Sequence, residues 1–181
     1  MILQWFCVFM GYYGTLYTST NLSGNPHINF MLSMVAGAPG NFLYLLLPDK
    51  VGRKATMLIT ELTLGFCCIG AGILMHFDMF PWLQTGFSML GRAVASAAVK
   101  TCVLFTAELF PTPIRNSAVG MGSFFGGLGA YVGFSLDILT SIWKPLPIFI
   151  FGACCSFTSI LALYLPETKG TKLPETIEDV L

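Results

Sequence analysis

Charged side chains are scarce in this sequence. Only 10% of its 181 residues are Asp, Glu, Lys or Arg, against about 25% in soluble domains. The nine acidic residues balance the nine Lys and Arg residues, so no overall field attracts nucleic acid and we expect no nucleic-acid partner. Apolar residues make up 55% of the chain, which indicates a protein embedded in the lipid bilayer.

The patterns of metal sites, disulfide frameworks and catalytic centres are missing. All six cysteines lie inside apolar stretches, without the CxxC or Cys/His spacing of a zinc site. The two histidines, His27 and His76, fall at helix ends and belong to no Ser/His/Asp arrangement. We therefore predict no metal, no cofactor and no enzymatic activity. The first apolar stretch lacks the basic start and cleavage site of a signal peptide, so we expect it to stay as a helix.

Six apolar stretches are long enough to cross a bilayer, since about 20 apolar residues span its hydrocarbon core. The fold class predicted is therefore an all-α membrane protein with six transmembrane helices. Residues 1–165 form the six-span bundle in this prediction, and the polar, acidic residues 166–181 form a C-terminal tail. The predicted spans are 1–22, 28–47, 55–77, 82–105, 117–139 and 146–165.

Basic residues in the short connections predict the orientation, because Lys and Arg collect on the cytoplasmic side. One side has only Lys144, while Arg92 and Lys100 fall inside the fourth span. An even number of spans places both chain ends on the other side, which we expect to be cytoplasmic. Its basic residues are Lys50, Arg53, Lys54, Arg115, Lys169 and Lys172.

Three polar motifs fall on the predicted cytoplasmic side. In residues 48–54 (PDKVGRK), Gly52 permits a tight turn, and Asp49 can accept hydrogen bonds from the first amides of the next helix. Residues 107–116 (AELFPTPIRN) join an acid and a base across a proline-containing turn. The third motif is LPETKG at 165–170, followed by LPET at 173–176. Anchoring by positive charge is the alternative explanation for the first motif, but three such motifs on one side favour a further role.

These motifs resemble the C-terminal half of the organic cation, organic anion and carnitine transporters of the major facilitator superfamily. The likeness also includes YYG at 12–14, LSGN at 22–25 and GR at 91–92. It implies twelve spans in two six-helix bundles, of which this chain supplies one. The chain would then need a missing N-terminal six-span half or a homodimer mate, and the small organic solute would cross between the halves of a plasma-membrane protein.

The resemblance further implies a cytoplasmic lock that stabilises one transport state. We expect Arg53 to pair with Glu108, with Arg115 and Glu167 nearby, because their connections share one side of the membrane. Asp49 belongs to the same predicted gating network.

Charged residues inside a span need a reason, because the bilayer penalises them. Lys100 lies eight residues before Glu108, which places it about 12 Å deeper, near the midplane. It shares a helix face with Ser96 and Arg92. Lys100 either faces the solute or pairs with Glu61, whereas Arg92 is long enough to reach the outer surface and serves a structural role.

Two positions that carry charge in relatives are occupied by Gly37 and Gly127 here, so the resemblance favours an organic anion or zwitterion over a cation. Further aromatic candidates for solute binding are Tyr12, Tyr13, Tyr17 and Tyr131, with ordinary helix packing as the alternative.

Two other functions remain open. A sugar-porter half would need more cavity amides than Gln4 supplies in the first span, and a non-transporting six-span partner or truncated product would bind a transporter without moving solute.

Overall fold

The computed structural model describes residues 1–19, 25–77 and 80–170. The end of the predicted first span and the tail beyond Gly170 lie outside these residues. Six α-helices and one 3-10 segment make up the described part. The helices are α1 (Ile2–Thr18), α2 (Pro26–Val51), α3 (Arg53–His76), α4 (Pro81–Leu109), α5 (Thr112–Ser135) and α6 (Leu146–Ala162), and the 3-10 segment Leu136–Ser141 extends α5.

The prediction of an all-helical membrane fold is confirmed, and six helices form where six spans were predicted. Four of them, α2 to α5, are long and apolar enough to cross a membrane. The remaining two, α1 and α6, have 17 residues each, which at 1.5 Å per residue is about 26 Å, short of a hydrocarbon core of about 30 Å. The crossing of the membrane by all six helices therefore stays a prediction.

Two predicted connections are shorter than the sequence suggested. Helix α2 continues through Pro39 and Pro48 to Val51, so only Gly52 separates it from α3. Gly52 has φ +111°, a conformation that a side chain disfavours. Between α4 and α5 only Phe110 and Pro111 intervene, because Pro113 sits in the first turn of α5, where its missing N–H has no partner to lose.

The centre of the bundle is formed by α1, α3, α4 and α6. Helix α3 packs on α4 and α6, α1 packs on α5, α6 and α4, and α2 packs mainly on α4. Phe151 and Leu64 lie at the centre of one apolar cluster, and Trp5 and Phe105 belong to a second. All six cysteines are free thiols within this apolar packing, as predicted. Since α2 and α5 expose most of their surface, they are the faces left for lipid or another bundle.

Glycines form the contact between α5 and α1. A Cβ at Gly129 would overlap the backbone of Phe6, so a larger residue there would force the two helices apart. Small residues allow close helix approach in membranes. The buried glycines of the contact fall in two pairs with four-residue spacing, Gly122 with Gly126 and Gly129 with Gly133.

Candidate functional site

A bonded network joins the ends of α2, α3 and α4. Arg53, the first residue of α3, donates from Nε to both carboxylate oxygens of Glu108 at 3.1 Å each. Its Nη1 lies 3.1 Å from Asp49 Oδ1 and donates to the Pro48 carbonyl at 3.0 Å. The side chains of Arg53 and Glu108 are only 19% and 16% exposed, whereas that of Asp49 is 75% exposed. The partly desolvated pair is therefore the stronger link of this network.

Glu167 caps α3, which corrects the prediction for Asp49. Its Oε1 accepts from the backbone N–H groups of Arg53 at 2.9 Å and Lys54 at 3.4 Å, and from those of Thr168 and Lys169 at 3.1 Å each. Asp49 does not reach these amides because it sits in the last turn of α2 and pairs with the Arg53 side chain. Partial burial alone would raise the pKa of Glu167, but the four backbone donors together lower it below its ordinary value.

The segment after α6 is tied back to the network. Thr168 Oγ1 donates to Glu108 Oε2 at 2.8 Å, and Lys169 Nζ donates to the Lys50 carbonyl at 2.6 Å. Lys54 Nζ donates to the Leu163 carbonyl at 2.6 Å. A Cβ at Gly52 would lie only 2.7 Å from the Glu167 carboxylate. Glycine at this position therefore serves both the turn and the close approach of Glu167.

Arg115 does not join the ion pairs, although it was predicted to lie with them. Its Nε donates to the Phe110 carbonyl at 3.3 Å, and its Nη2 has no hydrogen-bond partner in the described part of the chain. The short turn at Phe110 and Pro111 places the guanidinium against the end of α4, where it satisfies a terminal carbonyl. Of the predicted gating residues, the structure thus joins Asp49, Arg53 and Glu108 through side chains and Glu167 through the backbone.

A second polar cluster lies within the spans, between α2 and α4. Asn41 Oδ1 accepts from Ser96 Oγ at 3.0 Å and from Lys100 Nζ. Lys100 is exposed to the surroundings of the bundle. The alternative pairing of Lys100 with Glu61 is wrong, because Glu61 is fully buried in α3 and accepts from Gln4 Nε2 instead.

Arg92 is buried and does not extend to the outer surface. It is 3% exposed, and its guanidinium carbon lies 3.8 Å from the centre of the Tyr12 ring. Its Nε and Nη1 have no hydrogen-bond partner within the described ranges. Helix α1 packs directly on α4 here, so the guanidinium is held under the aromatic face by a cation–π contact. The structural role predicted for Arg92 agrees with this geometry, and Tyr12 is its partner.

The other candidate tyrosines lie along α1 and α5. Tyr13 packs between Phe9 and Phe134, at ring-centre distances of 6.4 and 5.7 Å. Tyr17 meets the same Phe134 edge-on at 5.7 Å and is 42% exposed. Tyr131 is 72% exposed on α5. These rings form an aromatic surface on the α1–α5 side of the bundle, separate from the Lys100 cluster between α2 and α4.

Sequence reasoning missed Asn41 and gave Gln4 too small a part. Both are amides inside apolar helices, and each bonds a charged or acidic side chain more than 50 residues away in the sequence. The criterion that singled out Lys100, a polar group within a span, would also have selected Asn41. The bond between Asn41 and Lys100 could not be predicted in the same way, because it depends on the packing of α2 on α4.

Apolar helices long enough to cross a membrane, which hold ionisable side chains within their spans, are typical of a multi-pass membrane protein with a functional site inside the bundle. The model of the Major Facilitator Superfamily matches residues 1–179, and the chain belongs to this family. Membership of a transporter family also agrees with the expectation that the chain is no enzyme.

Several curated relatives match almost the whole chain. The organic cation transporter protein of Drosophila melanogaster is 35% identical over 179 residues, 99% of this chain and 32% of that protein. Solute carrier family 22 member 3 of Mus musculus is 34% identical, and member 7 of Bos taurus 35% identical, each over 99% of this chain and 32% of the relative. These relatives confirm the resemblance to the organic-ion branch. The chain spans about a third of their length.

The fold also matches a solved structure. A proton:xylose symporter of the same superfamily, bound to 6-bromo-6-deoxy-D-glucose, superposes with a TM-score of 0.75. The likeness covers 95% of this chain and 40% of that one, at 20% sequence identity. At this identity the comparison shows the fold alone.

Proposed function

We propose that this chain forms the C-terminal bundle of a transporter that moves a small organic ion by alternating access. An N-terminal six-span half, or a homodimer mate, completes the path. This proposal is supported by the family match and by the chain's share of its relatives, about a third of their length. The mostly exposed helices α2 and α5 supply surfaces on which a second bundle would pack. The complete protein resides in the plasma membrane with both ends of this bundle in the cytoplasm.

The preference of the site is for an organic anion or zwitterion, and the Lys100 cluster carries this proposal. Asn41 Oδ1 already accepts from Ser96 and Lys100, so the Asn41 amide keeps only its N–H groups for a ligand. The ammonium of Lys100 also has N–H groups to spare. A cluster that offers a free ammonium and amide N–H groups suits a carboxylate.

Neighbouring acids would cancel this preference, and the described residues place none in an ion pair with Lys100. Gly37 lies beside the cluster, since a Cβ there would be 3.9 Å from Ser96 Oγ. Gly127, the second uncharged position, has nothing within 4 Å of its would-be Cβ. The aromatic surface at Tyr13, Tyr17 and Tyr131 favours the flat body of an organic ion. The positive charge is therefore uncompensated on this bundle.

The network around Arg53 serves as the cytoplasmic lock. It ties the ends of α2, α3 and α4 and the segment after α6 to one another. Its bonds hold the cytoplasmic end of the bundle in one arrangement, and their rupture accompanies the change to the other transport state. Arg115 supports the turn between α4 and α5 and is not an ionic member of the lock.

The substrate class is tested with the bundle completed by an N-terminal half in proteoliposomes. Uptake of a radiolabelled aromatic carboxylate, an organic cation of similar size and a hexose is compared at matched protein content. Saturable uptake of the carboxylate above the other two supports the proposal. Preferred hexose uptake would favour the sugar-porter alternative, and preferred cation uptake would contradict the charge preference.

A further inference from the structure

Glu61 lies within α3 where neither the solute cluster nor the cytoplasmic network uses it. Its side chain is fully buried, eight residues from the start of the helix at Arg53. Oε1 accepts a hydrogen bond from Gln4 Nε2 of α1. Oε2 is buried and has no hydrogen-bond partner among the described residues. One oxygen of a membrane-embedded carboxyl group is therefore left without a donor.

Among the described residues, no charged side chain forms an ion pair with Glu61. The titratable side chains that interact with it are thiols, one from each neighbouring helix: Cys7 of α1, Cys102 of α4 and Cys155 of α6. An ionised carboxylate in this place would be desolvated and without an ion-pair partner, which is strongly unfavourable.

The neighbouring hydroxyl fits the protonated form. Thr158 of α6 lies beside the carboxyl group and is itself fully buried. Its Oγ1 is 3.1 Å from the carbonyl oxygens of both Cys154 and Cys155, so its single hydrogen is already donated to the backbone. In this arrangement the Thr158 oxygen is free to accept a hydrogen bond from a protonated Glu61. An O–H on Oε2 would donate to Thr158 and satisfy the oxygen that otherwise has no partner.

Gln4 stands between Glu61 and a cavity. A cavity of about 850 Å³ lies at the end of the bundle where α4 ends and α5 begins, and Gln4, Trp5, Thr106, Phe110 and Ile114 are among its lining residues. Gln4 thus lines the cavity and also bonds to Glu61. The Gln4 amide is therefore the group that separates Glu61 from the cavity.

We propose that Glu61 is a proton-binding site, served from the cavity through Gln4, and that it couples solute movement to proton movement in the complete transporter. In each cycle, a hydronium ion in the cavity gives its proton to the Glu61 carboxylate and becomes water, and the reverse step releases the proton. No other reactant takes part. The proton site stands on this chain's own geometry, whereas the coupling rests on the transport function proposed above.

Infrared spectroscopy of the 181-residue chain in lipid nanodiscs tests the proton site directly. The parent protein should show a carboxylic-acid C=O band that weakens as the pH is raised and that is missing from Glu61→Gln. The Asp49→Asn protein, which alters an exposed carboxylate, should keep the band. A band that is unchanged in Glu61→Gln would overturn the proposal. So would a Glu61 band that persists at every pH at which the protein stays folded, because the acid would then be a permanent structural group.

Two further measurements separate access from coupling. In the Gln4→Ala protein the Glu61 band should shift faster on transfer to heavy water, and an unchanged rate would overturn the route through Gln4.

In the completed transporter, Glu61→Gln should lose uptake driven by a pH gradient but keep exchange of labelled for unlabelled solute at equal pH. Retained gradient-driven uptake would overturn the coupling. Absence of all transport would instead count against the transporter proposal, while the infrared result would still decide the proton site.

Discussion

Arg53 holds Glu108 through both carboxylate oxygens, and this single pair connects the start of α3 to the end of α4. The two residues are 55 positions apart in the sequence. The bond forms only when α3 and α4 are packed together. Its loss should therefore reduce the stability of this end of the bundle.

Removing the acid of this pair should destabilise the bundle more than removing the neighbouring exposed acid. We expect Glu108→Gln to lower the free energy of unfolding by about 1.5–3 kcal/mol, because a charge-assisted bond is lost in a partly buried place. The matched change Asp49→Asn should cost about 0–1 kcal/mol, since that side chain is largely in solvent. Unfolding in detergent with a thiol-reactive reporter of the buried cysteines measures both, and equal losses would contradict the ranking.

Glu167 should make the cap of α3 depend on pH. Its pKa is lowered in the folded protein, so its contribution is fully present above the ordinary carboxyl value of 4.5 and is lost as the pH falls through the lower folded value. Hydrogen exchange at the amides of Arg53 and Lys54 should lose protection over this acid range. In Glu167→Gln the protection should be weak at every pH, and parent-like protection in that variant would show that the carboxylate is not the cap.

Lys100 should control charge selectivity in the completed transporter. Lys100→Gln is expected to weaken binding of a carboxylate solute about 10-fold or more, because it removes the charge partner of the solute. Lys144→Gln, an exposed lysine in the turn before α6, should leave binding unchanged. Gly37→Glu should act in the same direction as Lys100→Gln by placing an acid beside Ser96. Unchanged carboxylate affinity in all three variants, at matched surface expression, would contradict the assigned role.

Two glycines of α5 test the packing against α1. Gly129→Ala should destabilise the protein by about 1–3 kcal/mol, since its Cβ would overlap the Phe6 backbone. Gly127→Ala places the same methyl group where nothing lies within 4 Å, and it should be neutral or stabilising by up to about 1 kcal/mol. Thermal unfolding of the two variants side by side measures the difference, and the opposite order would contradict the described contact.

The sequence predicted those features that depend on local pattern or on membrane side. Apolar length predicted the helices, and the shared side of three motifs predicted that Arg53 would meet Glu108. The sequence-based prediction assigned the cap of α3 to Asp49, because that residue is close to α3 in the sequence. The actual cap, Glu167, lies beyond three further helices, α4 to α6, and comes close to α3 only in the folded bundle. Asn41 with Lys100, and Gln4 with Glu61, likewise depend on which helices pack together.

The most direct test of the central claim compares the 181-residue chain with and without an N-terminal half in proteoliposomes. The chain alone should show no saturable uptake of an organic carboxylate, and the completed protein should show it. Size measurement by light scattering in detergent accompanies the assay, because a homodimer would supply the second bundle itself. Saturable uptake by the monomeric chain alone, or no uptake of any organic ion by the completed protein, would contradict the account.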